Sequence, residues 1–361
     1  MEKPRQKGRI DYGLLLIILI LLTIGLIILW STSAYNGRIK FHDSFYYLKK
    51  QLFATTLGLA LMYAMANIDY HIWRKFAVPA YILAVILGIA VLLFGDEYNG
   101  SKRWLSFGPL SFQPSEFAKI AVILLLAHII VKQEKSIKKM WILLYVMLLL
   151  LPIVGLVGAS NLSTAIIILG IGVILVFVAS PLYAQFAWLG VTGIGFLTIF
   201  LAVESYRLER LAIWRHPEKY ERGYQTLQGL YAIGSGGLFG RGIGNSVQKL
   251  GFVPEAQNDM IFSIVCEEWG LVGAVFLIAL FGILIWKFFV IAIRAKDSFG
   301  SLIATGAMAH IMIQVILNIA VVTNTIPNTG ITLPFVSYGG TSVMFLLMEM
   351  GLVLSVSNLL E

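Results

Sequence analysis

Long apolar runs recur along almost the whole chain, and they constrain its fold more than any other feature. A run of about 20 apolar residues is long enough for a helix to cross a hydrocarbon core roughly 30 Å thick. Backbone N–H and C=O groups find no water in lipid, so a spanning segment must be a helix or part of a closed barrel. The runs are continuous and rich in Leu and Ile, without the alternation typical of barrel strands. The sequence therefore predicts an all-α polytopic integral membrane protein.

The composition supports this fold class. Hydrophobic residues make up 58% of the 361 residues and charged residues only 13%, whereas soluble domains carry about 25% charged residues. Lipid must therefore cover a surface that polar groups cannot. The single cysteine, Cys266, allows no internal disulfide and no cysteine-based metal site. The formal net charge of +8 suits anionic lipid or an anionic substrate, and nucleic acid is not expected as a partner without a soluble basic domain.

About ten transmembrane helices are expected. The first apolar run is too long for a cleavable signal sequence and is interpreted as a retained span. The second expected span is the shortest. The expected spans lie at 12–31, 51–66, 77–94, 115–131, 141–157, 163–179, 185–203, 260–286, 301–323 and 336–357.

Lys and Arg residues in the connecting segments predict the orientation of the chain. With the N-terminus inside, the inside and outside segments carry 13 each, but seven of the outside residues lie in the 204–259 segment. Charges in loops approaching ~60 residues lose their orienting effect. Without that loop the count is 13 inside against 6 outside, so both termini are predicted to be cytoplasmic. The chain is then one transmembrane domain, 1–361, with one long extracellular loop at 204–259.

Charged residues at the edges of spans are the first candidates for chemistry, because each is costly in lipid unless it is paired or wet. Glu116 and Lys119 are three residues apart at the start of the fourth span, so they share a helix face and can pair. Such a pair either ties helices together without further function or presents Lys119 to an anionic head group. The residues alone leave both readings open.

Two carboxylates precede the eighth span. Glu255 follows Pro254 and suits the first turn of a helix without any further role. Asp259 stands immediately before a long apolar run, where partial loss of hydration raises the pKa of a carboxyl group toward the range of a general base. If the segment is helical, Glu255 and Asp259 share a face, and their repulsion raises the pKa further.

Other polar residues in the spans have simpler interpretations. His310, Gln314 and Asn318 form a stripe at i, i+4 and i+8 that is expected to join helices. Helix capping or helix–helix hydrogen bonding is expected for Glu267, Glu268 and Glu349. The segment from Leu333 to Ser342 is either a tight helix entry or a set of backbone amides that line a head-group pocket. The glycines from 234 to 244 do not have dinucleotide-site spacing.

Several stretches together resemble the SEDS family (shape, elongation, division and sporulation), whose members include FtsW, RodA and SpoVE. Four motifs in family order carry the resemblance over most of the chain. They are Gly100–Trp104 with Phe112–Lys119, Gly240–Gly244, Val253–Glu268 with its Asp259, and Leu333–Gly340. Within the family, three stretches look like the division-type FtsW/SpoVE branch: Gly108–Phe112, Gly244–Lys249 and Gly330–Pro334. RodA-type proteins more often have Pro where Thr332 stands.

The resemblance implies a peptidoglycan glycosyltransferase that polymerises lipid II on the outer face of the bacterial cytoplasmic membrane. It implies Asp259 as the essential catalytic residue, which would act as general base on the 4-hydroxyl of the acceptor sugar while a polyprenyl diphosphate leaves. The implied partners are lipid II, the nascent glycan strand, membrane lipid and a class B penicillin-binding transpeptidase. No cofactor is predicted, and divalent metal assistance is left open. The substrate-binding residues expected beside Asp259 are Arg103, Glu116, Lys119, Glu255, Ser337 and Gly339.

One departure from the family pattern and two alternative functions accompany this interpretation. A Gly-Ala-Ser-Asn stretch ending at Asn161 replaces a frequent Gln-Pro-Asp stretch, so an amide stands in place of a carboxylate. One alternative function is a lipid II flippase, which needs a polar path through both leaflets, whereas the polar residues here lie toward the outer half. The other is a non-catalytic scaffold that recruits a transpeptidase.

Overall fold

The computed structural model describes residues 10–98, 101–107, 110–133, 140–180, 186 and 212–360. The expected seventh span, 185–203, lies outside these ranges apart from residue 186, and so does the beginning of the long loop. The helices in chain order are α1 (Tyr12–Phe41), α2 (Tyr46–Asn67), α3 (Trp73–Phe94), α4 (Pro114–Lys132), α5 (Met140–Ser160), α6 (Leu162–Ala179), α7 (Tyr224–Gly236), α8 (Ile261–Arg294), α9 (Ser298–Val322) and α10 (Thr341–Ser357).

Helices dominate the fold, as the apolar runs predict. In the described part of the chain, six helical segments are long and apolar enough to cross a membrane. Every expected span except the seventh coincides with a helix, but α1 ends at Phe41 and α8 at Arg294, well beyond the apolar runs that predicted them. Hydropathy marks only the lipid-facing part of a helix, whereas hydrogen bonding continues to the cap. At the end of α1, His42 adopts a left-handed conformation and donates its N–H to the Arg38 carbonyl.

A small antiparallel sheet between α3 and α4 was not expected from the sequence. Its strands are β1 (Asp96–Tyr98), β2 (Ser101–Phe107) and β3 (Leu110–Phe112), in the order β1-β2-β3. Asp96 pairs with Trp104 on one side of β2, and Leu105 pairs with Phe112 on the other. Hydrogen bonding between the strands satisfies the backbone of this connection close to the membrane surface.

The helices α2 and α10, which lie near opposite ends of the chain, pack closely against each other. Glycine allows this approach on both helices. A Cβ atom at Gly351 would lie 2.6 Å from the Met62 carbonyl oxygen, and one at Gly58 would lie 2.7 Å from Cδ1 of Leu347. Small residues that let backbones come together are a common basis of helix association in membranes.

Helix α8 is broken at Gly270, where the backbone adopts φ 68° and ψ −167°. The chain that follows α7 lies backbone to backbone against this break and supplies the hydrogen bonds that the helix loses. The N–H groups of Leu271 and Val272 donate to carbonyls of residues 237 and 238, at 2.9 and 3.1 Å. In return, Arg241 and Gly242 donate to carbonyls of residues 267 and 268, each at 2.9 Å. The glycine-rich segment is therefore an integral part of α8 packing.

Buried charges reinforce the same junction. The ammonium of Lys249 lies 2.6 Å from Glu268 and 2.8 Å from the hydroxyl of Ser31 on α1. Glu267 accepts hydrogen bonds from the Ser246 hydroxyl and the Val247 N–H. Both glutamates thus join the long loop to the helix, in addition to the helix–helix hydrogen bonding expected from the sequence. A buried charge is tolerated only with such partners.

Enlarging the α2–α10 contact is expected to destabilise the protein. In Gly351→Ala the new methyl group meets the Met62 backbone, so the free energy of unfolding should fall by about 1–3 kcal/mol. The matched control is Gly282→Ala in α8, where a Cβ would have no neighbour within 4 Å. Thermal unfolding in detergent, followed by size-exclusion chromatography, measures both. An unchanged midpoint for Gly351→Ala would show that the two helices can separate at no cost.

Candidate functional site

A cavity of about 620 Å³ lies where the small sheet meets the turns that precede α8 and α10. Its charged lining comes from four parts of the fold: β1, β2, the start of α4 and the turns before α8. These side chains are Asp96, Arg103, Glu116, Lys119, Glu255 and Asp259. In the described ranges, no three His, Cys, Asp or Glu side chains gather in a way that could hold a metal ion.

The segment that carries Asp259 is a series of turns, and α8 begins only at Ile261. The condition under which Glu255 and Asp259 would share a helix face is therefore not met, and Glu255 does not lie in the first turn of a helix. Glu255 adopts a left-handed conformation with φ 52°, which a helix cannot contain. Its carboxylate accepts a hydrogen bond from the side-chain amide of Asn258. The turns allow both carboxylates to line the cavity without a helical arrangement.

The carboxyl group of Asp259 is largely removed from water, with 8% of the residue exposed. Burial raises its pKa to about 7, and the negative charge of Glu255 acts in the same direction. Hydrogen bonds oppose this shift: the side-chain amide of Gln225 on α7 lies 3.4 Å from each carboxylate oxygen. A carboxyl group with a pKa near neutrality can accept and release a proton under physiological conditions.

Asn318 fixes the backbone beneath Asp259. Its amide nitrogen donates to the Asp259 carbonyl at 2.9 Å and to the Ile331 carbonyl at 2.6 Å. The residue is completely buried, so each of these hydrogen bonds satisfies a carbonyl that would otherwise be left unpaired in the interior. The polar stripe on α9 was expected to join helices. At Asn318 it joins two irregular segments that form the cavity wall.

Glu116 and Lys119 form the ion pair that their spacing predicted, with 3.0 Å between Oε1 and Nζ. Lys119 is 1% exposed, and its ammonium also contacts Oε1 of Gln314 at 3.3 Å. Glu116 accepts a hydrogen bond of 2.7 Å from the hydroxyl of Ser342 at the start of α10. The pair therefore connects α4, α9 and α10 while both of its members line the cavity.

Arg103 lies on β2, and its Nε donates to the Ser160 carbonyl at 3.1 Å. This contact anchors the strand to the end of α5 and leaves the side chain in the cavity lining. Asn161, which follows Ser160 in the chain, caps α6 by accepting a hydrogen bond from the Thr164 N–H at 3.2 Å. Asn161 also lines the cavity. The amide that replaces the frequent family carboxylate thus serves as a helix cap.

Ser337 and Gly339 lie in the turn before α10 and are held by hydrogen bonds within the protein. The Ser337 hydroxyl donates to the Asn258 carbonyl and accepts from the Leu333 N–H, both at 2.7 Å. The N–H of Gly339 donates to Oε1 of Gln51 on α2 at 3.2 Å. Gly339 lines the large cavity, whereas Ser337 faces a smaller one beside it. Their predicted contact with substrate stays a prediction, and their observed contacts hold the cavity wall together.

Three residues of the site were not expected to belong to it. Gln225 contacts the Asp259 carboxylate, Gln51 clamps the turn before α10, and Asp96 lines the cavity from β1. Gln51 stands at the start of an expected span, and a polar side chain there is a weak signal of a buried contact. Neither Gln225 nor Asp96 could be placed from the sequence, because their segments were not expected to form a helix or a strand.

Comparison with known proteins gives consistent results. Residues 12–361 match the FTSW_RODA_SPOVE family model, described as a cell cycle protein. Stage V sporulation protein E of Bacillus subtilis (strain 168) is 39% identical, with 98% of each chain covered. A probable peptidoglycan glycosyltransferase FtsW of Trichlorobacter lovleyi is 33% identical over 99% of this chain and 95% of its own. These relatives agree with the branch predicted from Thr332.

Solved structures show the same fold. A chain from a structure described as "Structural coordination of polymerization and crosslinking by a peptidoglycan synthase complex" has a TM-score of 0.82 and 30% identity. The match covers 96% of this chain and 97% of that one. The rod shape determining protein RodA of Thermus thermophilus has a TM-score of 0.72 and 29% identity, with 96% of each chain covered. The chain described here belongs to the FtsW/RodA/SpoVE family of polytopic membrane proteins.

Proposed function

We propose that this protein is a peptidoglycan glycosyltransferase that polymerises lipid II on the outer face of the bacterial cytoplasmic membrane. One observation carries the proposal: the buried carboxyl group of Asp259, with a pKa near 7, shares a cavity with the cationic side chains of Arg103 and Lys119. The relatives named as probable peptidoglycan glycosyltransferases support the same class of reaction. A membrane-embedded cavity also suits a substrate that carries a polyprenyl chain.

In the proposed reaction Asp259 is the general base. The ionised carboxylate takes the proton of the acceptor 4-hydroxyl as that oxygen attacks the anomeric carbon of the donor sugar. A glycosidic C–O bond forms, and the bond between the anomeric carbon and the diphosphate oxygen breaks. The electron pair leaves with the diphosphate, and the proton stays on Asp259 until solvent removes it. Burial supports this role because it makes the carboxylate a stronger base than one in water.

The leaving group needs charge stabilisation and no general acid, because a diphosphate departs as an anion. Arg103 and Lys119 supply positive charge along the same cavity. The ion pair with Glu116 holds Lys119 in place and offsets part of the cost of burying its charge. The two cations are therefore assigned to the diphosphate of the donor, and Glu255 to the acceptor side near Asp259.

A class B penicillin-binding transpeptidase is the proposed partner. The similar solved complex is described as coordinating polymerization with crosslinking. Crosslinking of the peptides requires a transpeptidase, and a freshly made strand beside the membrane is the substrate for that step. Lipid II, the growing glycan strand and membrane lipid complete the proposed set of partners.

Replacing the base is expected to abolish polymerisation. Asp259→Asn removes the proton acceptor while keeping the size of the side chain, so polymer formation should fall by about 10²–10⁴-fold. The measurement is glycan formation from purified lipid II by the purified protein together with its transpeptidase partner. The control Asp43→Asn changes a partly exposed carboxylate in the turn between α1 and α2 and should retain full activity.

Two outcomes would contradict this assignment. Full activity of Asp259→Asn would exclude the general base. Absence of polymer from the wild-type complex, together with movement of lipid II between leaflets of proteoliposomes, would identify a flippase. The activities of Asp259→Asn and Asp43→Asn can be compared only if both variants unfold at the same midpoint as the wild type.

The pH dependence of polymerisation should report the same carboxyl group. Since the base acts when ionised and its pKa is about 7, the rate at low substrate should rise with pH below 7 and level off above it. Glu255→Gln removes a negative charge that raises this pKa, so the midpoint should move to lower pH. Initial rates across roughly pH 5.5 to 8.5 measure both effects. A midpoint that does not move in Glu255→Gln would separate the titrating group from Asp259.

A further inference from the structure

A chain of buried polar side chains leads from the cavity wall into the middle of the bundle. Lys119 contacts Oε1 of Gln314 at 3.3 Å, and the same oxygen lies 2.8 Å from Nε2 of His310. The other ring nitrogen of His310, Nδ1, lies 2.7 Å from Oε2 of Glu349 on α10. Gln314 and Lys119 line the cavity, but His310 and Glu349 do not. Both of these inner residues are 2% exposed.

The neighbours of Gln314 fix the orientation of its carboxamide. One of its two terminal atoms faces the Lys119 ammonium, which can only donate a hydrogen bond. The other lies 3.0 Å from the Thr332 carbonyl oxygen, which can only accept one. The carboxamide oxygen must therefore face Lys119 and the nitrogen must face Thr332. Because that oxygen also faces His310, Nε2 of the ring must carry a proton.

The second contact of the ring determines what Glu349 does. With Nε2 protonated, the 2.7 Å contact between Nδ1 and Glu349 needs one proton, which either atom can carry. In both arrangements the pair has no net charge and the ring keeps its Nε2–H. The remaining carboxyl oxygen of Glu349, Oε1, has no hydrogen-bond partner in the part of the chain that the structure describes. Among the described residues, the carboxyl group of Glu349 therefore makes its polar contact with the His310 ring.

We infer that His310 and Glu349 are positioning residues for Lys119. Glu349 holds the His310 ring, the ring donates to Gln314, and the Gln314 oxygen holds the Lys119 ammonium at the cavity wall. This inference rests on the proposed function, since Lys119 is there assigned to the diphosphate of the donor. Besides Lys119 itself, the His310 ring and the Thr332 carbonyl keep the Gln314 oxygen toward the ammonium. Without the donation from His310, one of these two contacts is lost. An amide nitrogen in that place would repel the ammonium.

Two substitutions of His310 separate positioning from simple packing. The side-chain nitrogen of glutamine reaches as far as Nε2 of histidine, and that of asparagine only as far as Nδ1. His310→Gln therefore keeps the donor to Gln314 and gives up the contact with Glu349, whereas His310→Asn does the reverse. The probe is undecaprenyl diphosphate, whose dissociation constant is measured with the full-length protein in detergent. We expect His310→Asn to weaken binding about five- to tenfold, as for the loss of one hydrogen bond, and His310→Gln to bind within about twofold of the wild type.

Equal affinities of the two variants, or weaker binding by His310→Gln, would overturn the inference. The control Thr305→Val removes a similarly buried hydroxyl on α9 that donates to the Ser301 carbonyl, and this variant should bind the probe normally. If a His310 variant does not fold, Glu349→Gln tests the inference instead. Its side-chain amide can donate to Nδ1 of His310 and keep the ring in place, so binding of undecaprenyl diphosphate should be retained. Folded Glu349→Gln that loses undecaprenyl diphosphate binding would contradict the positioning role.

The same assay distinguishes this inference from the proposed function. Asp259→Asn should bind undecaprenyl diphosphate like the wild type, since Asp259 is assigned to the acceptor. A wild-type protein that binds the diphosphate but makes no polymer would overturn the proposed function alone. If the protein polymerises lipid II but His310→Gln does not bind undecaprenyl diphosphate more tightly than His310→Asn, only the positioning role is overturned.

Discussion

Backbone groups in the irregular segments of a membrane protein must find hydrogen-bond partners that a helix would otherwise supply. The structure of the site depends on this constraint. The turns before α8 and α10 are irregular and largely buried. Asn318 and Ser337 donate side-chain hydrogen bonds to carbonyls of these turns, and Gln51 accepts one from the Gly339 N–H. The cost of an unpaired carbonyl in this environment is several kcal/mol. The polar residues that bound the cavity are therefore needed for its shape as well as for its chemistry.

The same requirement explains the junction between the long loop and α8. Gly270 interrupts the helix, and the backbone around residues 237–242 replaces the lost hydrogen bonds. Lys249 and Glu268 add a buried ion pair at that level. Asp259 lies in the turns just before the same helix, so the loop helps to hold the first part of α8 and the carboxyl group that precedes it. The long loop and α8 form one packed unit.

Much of this fold follows from the sequence, because lipid leaves an apolar segment few choices. The apolar runs predicted the bounds of α3 to α6 and α9 closely and the existence of α1, α2, α8 and α10, since hydrogen bonding inside each segment is obligatory. Helix ends were less accurate, as the extra turns of α1 show. The sheet around Trp104 escaped prediction because two of its strands have only three residues, and alternation over so few positions is a weak signal.

A site residue could be predicted where its position in the sequence limits its role. It could not be predicted where its role depends on a partner that is distant in the sequence. Asp259 stood out because a carboxylate precedes an apolar run, and Glu116 with Lys119 because their spacing puts them on one face. The role of Asn318 depends on which turns lie opposite α9, and no local pattern contains that information. The left-handed backbone of Glu255 is similarly a property of the assembled turn.

The pairing of α2 with α10 has a consequence for how the protein is made. Gln51 and the Gly339 amide that it holds are 288 residues apart in the chain. A ribosome delivers the N-terminal helices to the membrane before α10. Until α10 and the turn before it emerge, Gln51 and Glu116 lack their partners in those segments. The cavity is therefore completed only after α10 is made, and a shorter chain carries Asp259 and the Glu116–Lys119 pair without the wall that brings them into one site.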